Sequence, residues 1–379
     1  ARSKGRIPNV FWFNPDAEEE LAGRPQRGVT DQVIRDLEMV MVALAKADDV
    51  VMLQQTPGLE QREKLQKIGL QLPEMVAWAE LNKVVTRKLG IAKPWASTPR
   101  SSKLAESIGV PHPSGNPALF SKLEHAELLG RLLERSDWRL LGDAREVGRC
   151  VSSVEEVKAL RLTRPGIPWV IKAPVSTAGR DRMRIEGELD EADQKRLAAM
   201  FERSDMLLME PWLDRLLDFS IQYEAGDGGL KRRGMVVLEN TGRGQFRSAR
   251  ATRRPFDGLE PDVRRQVFGG GQGKGIWADW LAGVLEPGLS SWLGDYRGSV
   301  GVDAFLYQDE EGGVRMKPIV EVNPRFTMGR VAVELARQLG EGTTLLIQSV
   351  EDPAPDNATV LTVVTDETRL AAYVVPGKR

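Results

Sequence analysis

Short apolar runs alternate with segments of helical periodicity in the first part of the chain. The runs Val10–Asn14 and Val50–Leu53 predict β-strands, because each is short, largely apolar and bounded by polar or turn-forming residues. Between them, Thr30 is placed to cap a helix whose apolar residues recur at helical spacing from Val33 to Leu44. This order of strand, helix and strand indicates an open α/β unit with a parallel sheet.

The rest of the chain predicts a second region that is richer in strands. Residues 81–89 predict a helix, and residues 91–116, rich in Pro, Ser and Gly, are interpreted as a connection between domains. Hairpins are predicted between residues 219 and 252, and residues 360–364 predict either a further strand or a segment packed on the surface. Further helices are predicted at 118–134 and 331–339, and strands at 168–172, 206–209, 300–307 and 317–322.

The composition limits the class of protein. The chain has 379 residues, 41% of them hydrophobic, which is enough for more than one core, because single cores stop growing at roughly 250–300 residues. The net charge of −1 predicts no general attraction to nucleic acid or membranes, and the apolar runs are far shorter than the ~20 residues of a membrane span. The basic N-terminus has no apolar segment behind it, so no signal peptide is predicted and a cytoplasmic location is expected.

Cysteine and histidine are too scarce for several kinds of site. Cys150 is the only cysteine in the sequence, which excludes an intrachain disulfide and a zinc site made of thiolates. His112, between two prolines, and His125, in a polar helix, are interpreted as surface residues. A serine-type triad or a histidine-rich metal centre is therefore not expected, and catalysis would rely on carboxylates, lysines and arginines.

The most specific pattern is the segment from Ile319 to Arg325. Glu321 and Asn323 are two residues apart on a predicted strand, so their side chains point to the same face and can reach one divalent ion. Asp303 is a lone acid in an otherwise apolar strand and needs a partner there. If the two strands pair through the glycine-containing turn between them, Asp303 and Glu321 form a two-carboxylate metal site. The alternative is that both are salt-bridged surface acids.

Two further strand ends carry charged residues. Lys172 ends an apolar strand and projects at a loop of small residues whose backbone N–H groups can cradle phosphate oxygens, with Arg180 adding charge. Glu210 and Pro211 end another strand and suggest a hinge between lobes, where backbone groups pair with an adenine edge. Each of these two patterns is also compatible with an ordinary strand end.

In this order and spacing, the three segments resemble the ATP-grasp superfamily of carboxylate–amine ligases. The resemblance covers roughly residues 82–339 and is densest from Glu321 to Arg325. It implies an α/β and α+β protein, in which a Rossmann-like N-terminal domain is followed by a two-lobed ATP-grasp fold. The implied divisions are a pre-ATP-grasp domain at 1–95, a small lobe with its linker at 96–205, a catalytic lobe at 206–350, and a tail or additional strand at 351–379.

The resemblance also implies roles for individual residues. Lys172 would contact the α- and β-phosphates of ATP, and Arg325 would stabilise the γ-phosphate as it passes to the carboxylate. Arg330 is a candidate to bind that carboxylate. The implied ligands of one or two Mg²⁺ ions, with Mn²⁺ as an alternative, are Asp303, Glu321 and Asn323. The implied nucleotide-binding residues are Lys103, Lys172, Ser176, Thr177, Gly179, Arg180, Glu210, Pro211, Trp212 and Leu213.

Some features depart from the family pattern or stay open. The phosphate loop at 175–180 has one glycine where relatives often have several, and Asp303 stands where many relatives use Glu. The family's earlier lysine, at a helix start, has two candidates, Lys83 and Lys103, and Lys103 is preferred for the Gly-Val-Pro sequence that follows its helix. The glycine-rich stretch 269–275 is either a lid over the substrate or a surface loop.

The implied activity is that of an ATP-dependent ligase that forms an amide or peptide bond through an acyl phosphate and releases ADP and phosphate. A carboxylate is a poor electrophile, and transfer of the γ-phosphoryl group to it supplies a good leaving group. This transfer requires mainly positioning and cations. The expected partners are a small carboxylate and an amine, such as an amino acid or peptide, and a second copy in a homodimer. Two alternatives stay open: a phosphotransferase of the same fold, either kinase or dikinase, and a non-catalytic nucleotide-binding protein.

Overall fold

Three β-sheets organise the chain. The computed structural model describes residues 5–24, 28–113, 115–176, 181–242, 245–268 and 273–377. Along the sequence these residues form a parallel sheet of four strands, an antiparallel sheet of four strands and an antiparallel sheet of eight strands. Among the helices of these residues, none has the length and apolar character needed to span a bilayer.

The N-terminal domain is an open parallel sheet flanked by helices. Its strand order is β3-β2-β1-β4, with β1 and β2 at the two predicted strand positions. The strands are β1 (Val10–Trp12), β2 (Val50–Leu53), β3 (Glu74–Ala77) and β4 (Ala92–Pro94). The helices are α1 (Ala17–Leu21), α2 (Gly28–Leu37), α3 (Leu59–Lys67), α4 (Asn82–Val85) and α5 (Pro99–Ser107).

The end of this domain differs from the sequence prediction. The helix predicted at 81–89 ends at Val85, and the interpretation of residues 91–116 as a connection was wrong, because this stretch contains β4 and α5. Strand β4 pairs with β1. Helix α5 begins with a capping box, in which the hydroxyl of Thr98 accepts the N–H of Ser101 while the hydroxyl of Ser101 accepts the N–H of Thr98. Proline and serine here start a helix rather than mark a linker.

The next sheet belongs to the small lobe and has the order β5-β8-β6-β7. Strand β8 pairs with both β5 and β6. Strand β8, which follows the predicted boundary at 205/206, thus lies in the same sheet as β5 and β6. The strands are β5 (Arg149–Val151), β6 (Trp169–Lys172), β7 (Arg182–Ile185) and β8 (Leu207–Pro211). The helices of this part of the chain are α6 (Lys122–Leu133), α7 (Val154–Leu162) and α8 (Glu191–Phe201).

The large sheet has the order β13-β12-β9-β10-β11-β14-β16-β15. The tail contributes β15 and β16, and β16 pairs with β14, so the chain after residue 350 extends this sheet. The strands are β9 (Asp214–Gly226), β10 (Gly229–Asn240), β11 (Phe246–Ala251), β12 (Gly298–Gln308), β13 (Val314–Asn323), β14 (Thr344–Ser349), β15 (Thr359–Val360) and β16 (Leu370–Val375). The helices are α9 (Pro261–Phe268), α10 (Gly273–Trp280), α11 (Glu286–Leu293) and α12 (Met328–Leu339).

A shared hydrophobic core joins the N-terminal domain to the large sheet. The ring of Phe326, just after β13, lies 6.3 Å from that of Phe11 and 6.4 Å from that of Trp95, measured between centroids. The backbone N–H of Phe326 also donates to the carbonyl of Trp95 at 2.9 Å. The segment that follows β13 is therefore held against the first domain, which fixes the position of the neighbouring Arg325.

Candidate active site

A cleft of about 320 Å³ brings together side chains from the N-terminal domain, the small lobe and the large sheet. Six of the residues predicted from the sequence line it: Lys172, Ser176, Asp303, Glu321, Asn323 and Arg325. Three other cations line it as well: Lys122, Arg182 and Arg215. Strongly charged groups of both signs thus meet in one cavity, which is the environment of a functional site rather than of a core.

Two carboxylates face each other at the centre of this cleft. The antiparallel register of β12 and β13 places Asp303 directly opposite Glu321, as expected if the two strands pair through their connecting turn. The side-chain amide of Asn323 donates to Asp303 Oδ2 at 3.1 Å. Burial, together with the nearby charge of Glu321, raises the pKa of Asp303 to about 6. A half-buried acid pair of this kind is stabilised by a cation.

Lys122 is a member of the site that the sequence reasoning missed. It begins α6, and its ammonium group donates to Glu321 Oε1 and to the carbonyl of Ser176, both at 2.8 Å. Burial by itself would raise the pKa of Glu321, but the charge of Lys122 outweighs it and the pKa is lowered. Lys122 therefore connects the acid pair to the start of the predicted phosphate loop.

His125 holds this helix in place. It is buried, not on the surface as predicted from the sequence. The backbone N–H of Val322 donates to its Nδ1 at 3.3 Å, so the ring proton lies on Nε2, which donates to the carbonyl of Leu119 at 3.0 Å. Burial lowers the pKa of His125 to about 4, so the ring is neutral at pH 7. These contacts fix α6 against β13 and thereby position Lys122.

A second charged cluster lies where the small lobe meets β13. Glu210 pairs through Oε1 with Lys172 and through Oε2 with Lys317, the latter at 2.7 Å. Burial would raise the pKa of Glu210, but the two lysines outweigh it and lower the pKa to about 2. Burial and the charge of Lys317 lower the pKa of Lys172. One carboxylate thus faces two ammonium groups, and the cluster keeps an excess positive charge that favours an anion.

The position of Lys317 in the sequence indicated a buried ion pair, which the sequence analysis did not predict. It lies inside an apolar strand, and the argument that singled out Asp303, that a charge in such a strand needs a partner, applies to it equally. Its partner Glu210 is 107 positions away in the sequence, so the pairing itself depends on how the lobes pack.

Arg325 is fixed by the N-terminal domain. Its Nε donates to Glu18 Oε1 of α1 at 2.6 Å, and its Nη1 donates to the carbonyl of Phe326 at 3.0 Å. Burial would lower the pKa of Arg325, but Glu18 outweighs it and the pKa is raised, so the guanidinium stays charged. Nothing in the acidic run at 18–20 distinguished Glu18 in the sequence.

The expected role of Arg330 is corrected by the structure. Its guanidinium is buried, and Nε and Nη2 each lie 2.8 Å from a carboxylate, of Glu334 and Glu224 respectively. Nη1 donates to the carbonyl of Tyr223 at 3.0 Å. Arg330 is not among the described residues that line the cleft, and it fastens α12 to the large sheet. In the sequence, Glu334 follows Arg330 by four residues, a spacing at which opposite charges pair on a helix, and this spacing indicated the structural role.

Neither candidate for the earlier lysine lies in the cleft. Lys103 is exposed on α5, and Lys83 pairs with the exposed Glu80 one helical turn away; both are outside the described lining. The preference for Lys103 was therefore wrong. The expected lysine is one at a helix start that contacts the nucleotide. Lys122 begins a helix and lies in the cleft, so it fits this description.

The remaining predicted nucleotide-binding residues are only partly within the described ranges. Thr177, Gly179 and Arg180 fall outside the described residues, as do residues 269–272 of the glycine-rich stretch. Pro211 ends β8. Trp212 and Leu213 follow it and line a second cavity of about 470 Å³. The guanidinium carbon of Arg184 lies 4.4 Å from the centroid of the Trp212 ring, so cation–π contact covers this ring.

The donor set of the acid pair fits a hard divalent cation. Mg²⁺ is usually held by one or two carboxylates together with substrate phosphates and water, rather than by an all-protein cage. Asp303 and Glu321 supply two carboxylates and Asn323 an amide oxygen. Neither here nor elsewhere in the described ranges do three or more His, Cys, Asp or Glu side chains form a cluster arranged to hold a metal, so the ion would rely on these two carboxylates, the amide and substrate phosphates.

Comparison with known proteins establishes the fold. Neither a scan against protein-family models nor a search of curated proteins gave a match. Among solved structures, N5-carboxyaminoimidazole synthetase from Staphylococcus aureus, complexed with ADP, matches with a TM-score of 0.51 and 10% identity over 100% of this chain and 96% of that one. The biotin carboxylase domain of the Hydrogenobacter thermophilus 2-oxoglutarate carboxylase, with MgADP, ADP and bicarbonate, matches with a TM-score of 0.53 and 12% identity over 98% and 87%.

A third solved structure, biotin carboxylase from Campylobacter jejuni, matches with a TM-score of 0.51 and 12% identity over 98% of this chain and 88% of that one. Likeness over whole chains at such low identity is a likeness of fold. It confirms the predicted organisation, a parallel N-terminal domain followed by two antiparallel lobes. The fold of this chain is the ATP-grasp fold.

Proposed function

We propose that the protein binds ATP with Mg²⁺ in the cleft and activates a carboxylate as an acyl phosphate, which an amine then converts to a C–N bond. The observation that carries this proposal is the Asp303–Glu321 pair, with Asn323, on the same cavity as Lys172 and Arg325. Solved structures of the same fold contain ADP or MgADP, one of them with bicarbonate, and this supports nucleotide binding at the cleft.

The charges of the cleft suit the phosphates of ATP. The excess positive charge of the Lys172–Glu210–Lys317 cluster favours the α- and β-phosphates. The backbone from Glu210 to Leu213 is proposed to bind adenine, and Ser176, with the residues Thr177, Gly179 and Arg180, to cover the phosphates. Mg²⁺ held by Asp303, Glu321 and Asn323 would neutralise charge that develops on the transferred group.

The proposed reaction has two bond exchanges. An oxygen of the carboxylate, oriented by Arg325, bonds to the γ-phosphorus while the bond from phosphorus to the ADP oxygen breaks. The amine nitrogen then bonds to the acyl carbon, phosphate leaves with the electron pair of the broken C–O bond, and phosphate takes the proton that the nitrogen loses. Neither exchange requires a cysteine or histidine nucleophile, in agreement with the composition.

The first experiment measures nucleotide products from Mg-ATP with pooled carboxylates and amines, resolving ADP from AMP. The proposal predicts repeated turnover to ADP and phosphate only when both an acid and an amine are present. Repeated turnover to ADP, well beyond one equivalent of enzyme, without any amine would instead indicate a phosphotransferase. Unfolding temperature with ATP, with and without Mg²⁺, tests the nucleotide site separately, because a ligand stabilises the state that binds it. A shift that does not depend on Mg²⁺ would contradict the metal assignment.

A pair of matched variants tests the acid pair. Glu321→Gln keeps an oxygen for Lys122 but removes the negative charge, so it should abolish turnover and the Mg²⁺-dependent shift while the fold is retained. Glu155→Gln makes the same change at an exposed position on α7 and should behave as the unmodified protein. Near-normal turnover in Glu321→Gln would overturn the proposed site.

A further inference from the structure

The cleft has an apolar part that the phosphoryl-transfer groups do not use. We call it the apolar chamber, and its walls come from the N-terminal domain on one side and from the large sheet and the start of α12 on the other. The chamber is lined by Phe13, Pro15, Val33, Leu37, Trp95, Leu238, Phe246 and Met328. It is continuous with the site of Asp303 and Glu321, because all these residues line one cavity.

The chamber lies where open α/β sheets bind ligands. Phe13 and Trp95 directly follow the carboxyl ends of the neighbouring parallel strands β1 and β4, and ligands bind outside such ends. Asn14 and Ala96 exchange two hydrogen bonds, of 2.9 and 3.1 Å, that hold the two loops together. The rings of Phe13 and Trp95 consequently meet edge to face, with centroids 4.9 Å apart. This wall is held by contacts within the protein itself.

The chamber exposes apolar surface to the cavity. Its inner residues, Phe13, Leu37 and Trp95, are buried in the shared core. Its other large residues keep part of their surface accessible: Val33, Leu238, Phe246 and Met328. Water contact with such surface is unfavourable, so an apolar group that covers it is bound favourably.

Arg325 is the lining cation that lies on the same segment of chain as the chamber residue Met328. It lines the same cavity, next to Phe326, which is hydrogen-bonded to Trp95. The other lining cations lie on other elements: Lys122 on α6, Lys172 on β6, Arg182 on β7 and Arg215 on β9. The chamber residues come from the N-terminal domain, β10, β11 and the segment after β13, and the polar residues that these parts add to the described lining are, besides Arg325, Asn240 and Thr327. A second anionic group on a substrate would therefore lack a charged partner there.

We infer that the activated substrate is a carboxylic acid with one carboxylate, which pairs with Arg325, and an apolar aliphatic or aromatic body, which fills the apolar chamber. The inference rests on the proposed function, because it takes the group activated beside Arg325 to be a carboxylate. It adds the chemical class of the acid, which neither the fold nor the phosphate-binding groups specify.

Hydroxylamine can replace the unknown natural amine, so activation of each acid can be measured as hydroxamate formation. Its nitrogen bonds to the acyl carbon of an acyl phosphate, phosphate leaves with the electron pair and the proton, and a stable hydroxamate remains. The test compares hexanoate with adipate, which has the same six carbons but a second carboxylate at its far end, and adds 3-phenylpropanoate and the series from acetate to hexanoate. Each reaction contains the full chain, Mg-ATP and hydroxylamine.

The inference predicts that kcat/KM for hydroxamate formation rises about fourfold per buried methylene along the series and that hexanoate exceeds adipate by at least roughly tenfold. Equal or greater rates with adipate would overturn the inference while leaving the proposed ligase intact. Stabilisation by Mg-ATP with no hydroxamate from any acid would overturn the ligase, and the inference with it.

Variants at one chamber residue locate the effect. Leu238→Asp should remove the preference for hexanoate over adipate, whereas Leu238→Phe keeps the wall apolar and should shift the preference to shorter acids. Mg-ATP stabilisation should be retained in both. The matched control is Leu162→Asp, at a leucine that is 71% exposed on α7. An unchanged acid preference in both Leu238 variants would show that the chamber does not bind the acid.

Discussion

Glu210 allows a quantitative test of the charged cluster at the lobe junction. The residue is 5% exposed, and its two oxygens pair with the buried Lys317 and with Lys172, whose side chain is 12% exposed. Glu210→Gln keeps the shape but leaves two ammonium groups facing each other without a counter-charge. Removing one partner of a buried ion pair costs about 3–5 kcal/mol. Independently, the fall in the pKa of Glu210 from 4.5 to about 2 corresponds to about 3 kcal/mol.

Urea unfolding at pH 7, followed by far-UV circular dichroism, measures this loss in the free energy of unfolding. The contribution of Glu210 is present above pH 4.5 and is lost as the pH falls towards 2, because its pKa is lower in the folded state. Glu186→Gln is the control, since Glu186 pairs with Arg184 at an exposed position, and its loss should stay below about 1 kcal/mol.

A double variant separates charge from packing. In Glu210→Gln with Lys317→Met the uncompensated ammonium of Lys317 is gone, so most of the lost stability should return. Inorganic tripolyphosphate should stabilise the single variant more than the unmodified protein, because it replaces the missing negative charge. A loss below about 1 kcal/mol in Glu210→Gln, or a double variant as unstable as the single one, would refute the reasoning.

Four further predictions concern single side chains. Asn323→Ala should abolish ADP formation and leave the unfolding temperature nearly unchanged; retained activity would remove Asn323 from the site. Lys172→Ala should weaken ATP binding, measured by calorimetry, more than folding. Arg330→Met should lower the free energy of unfolding by about 1–3 kcal/mol, because Glu224 and the carbonyl of Tyr223 lose a buried charged donor while Glu334 keeps Arg337, and unchanged stability would contradict this. Acidification from pH 6.5 to 4 should destabilise the unmodified protein, because His125 is neutral when folded, and His125→Gln should lack this component.

The sequence predicted the parts of the site that depend on neighbours along the chain. The two-residue spacing of Glu321 and Asn323 places both on one face of any strand. The short connection between β12 and β13 makes their pairing local, so Asp303 opposite Glu321 followed from the order of residues. Lys172 at a strand end was recognisable for the same reason. The open α/β unit at the N-terminus, too, followed from the order of apolar runs and their periods, whereas the two-lobed fold was implied by the resemblance of three short segments to a known family.

The tertiary structure alone decided which distant groups complete the site. Lys122 reaches Glu321 across 199 positions, and Glu18 reaches Arg325 across 307. Such pairs depend on how helices and lobes pack, which strand and helix periods do not encode. The same holds for Arg330: its charge suggested a ligand-binding role, but the orientation of α12 turns it into the interior. Period and spacing act within an element, whereas the partners of a buried charge are set by the packing of elements far apart in the chain.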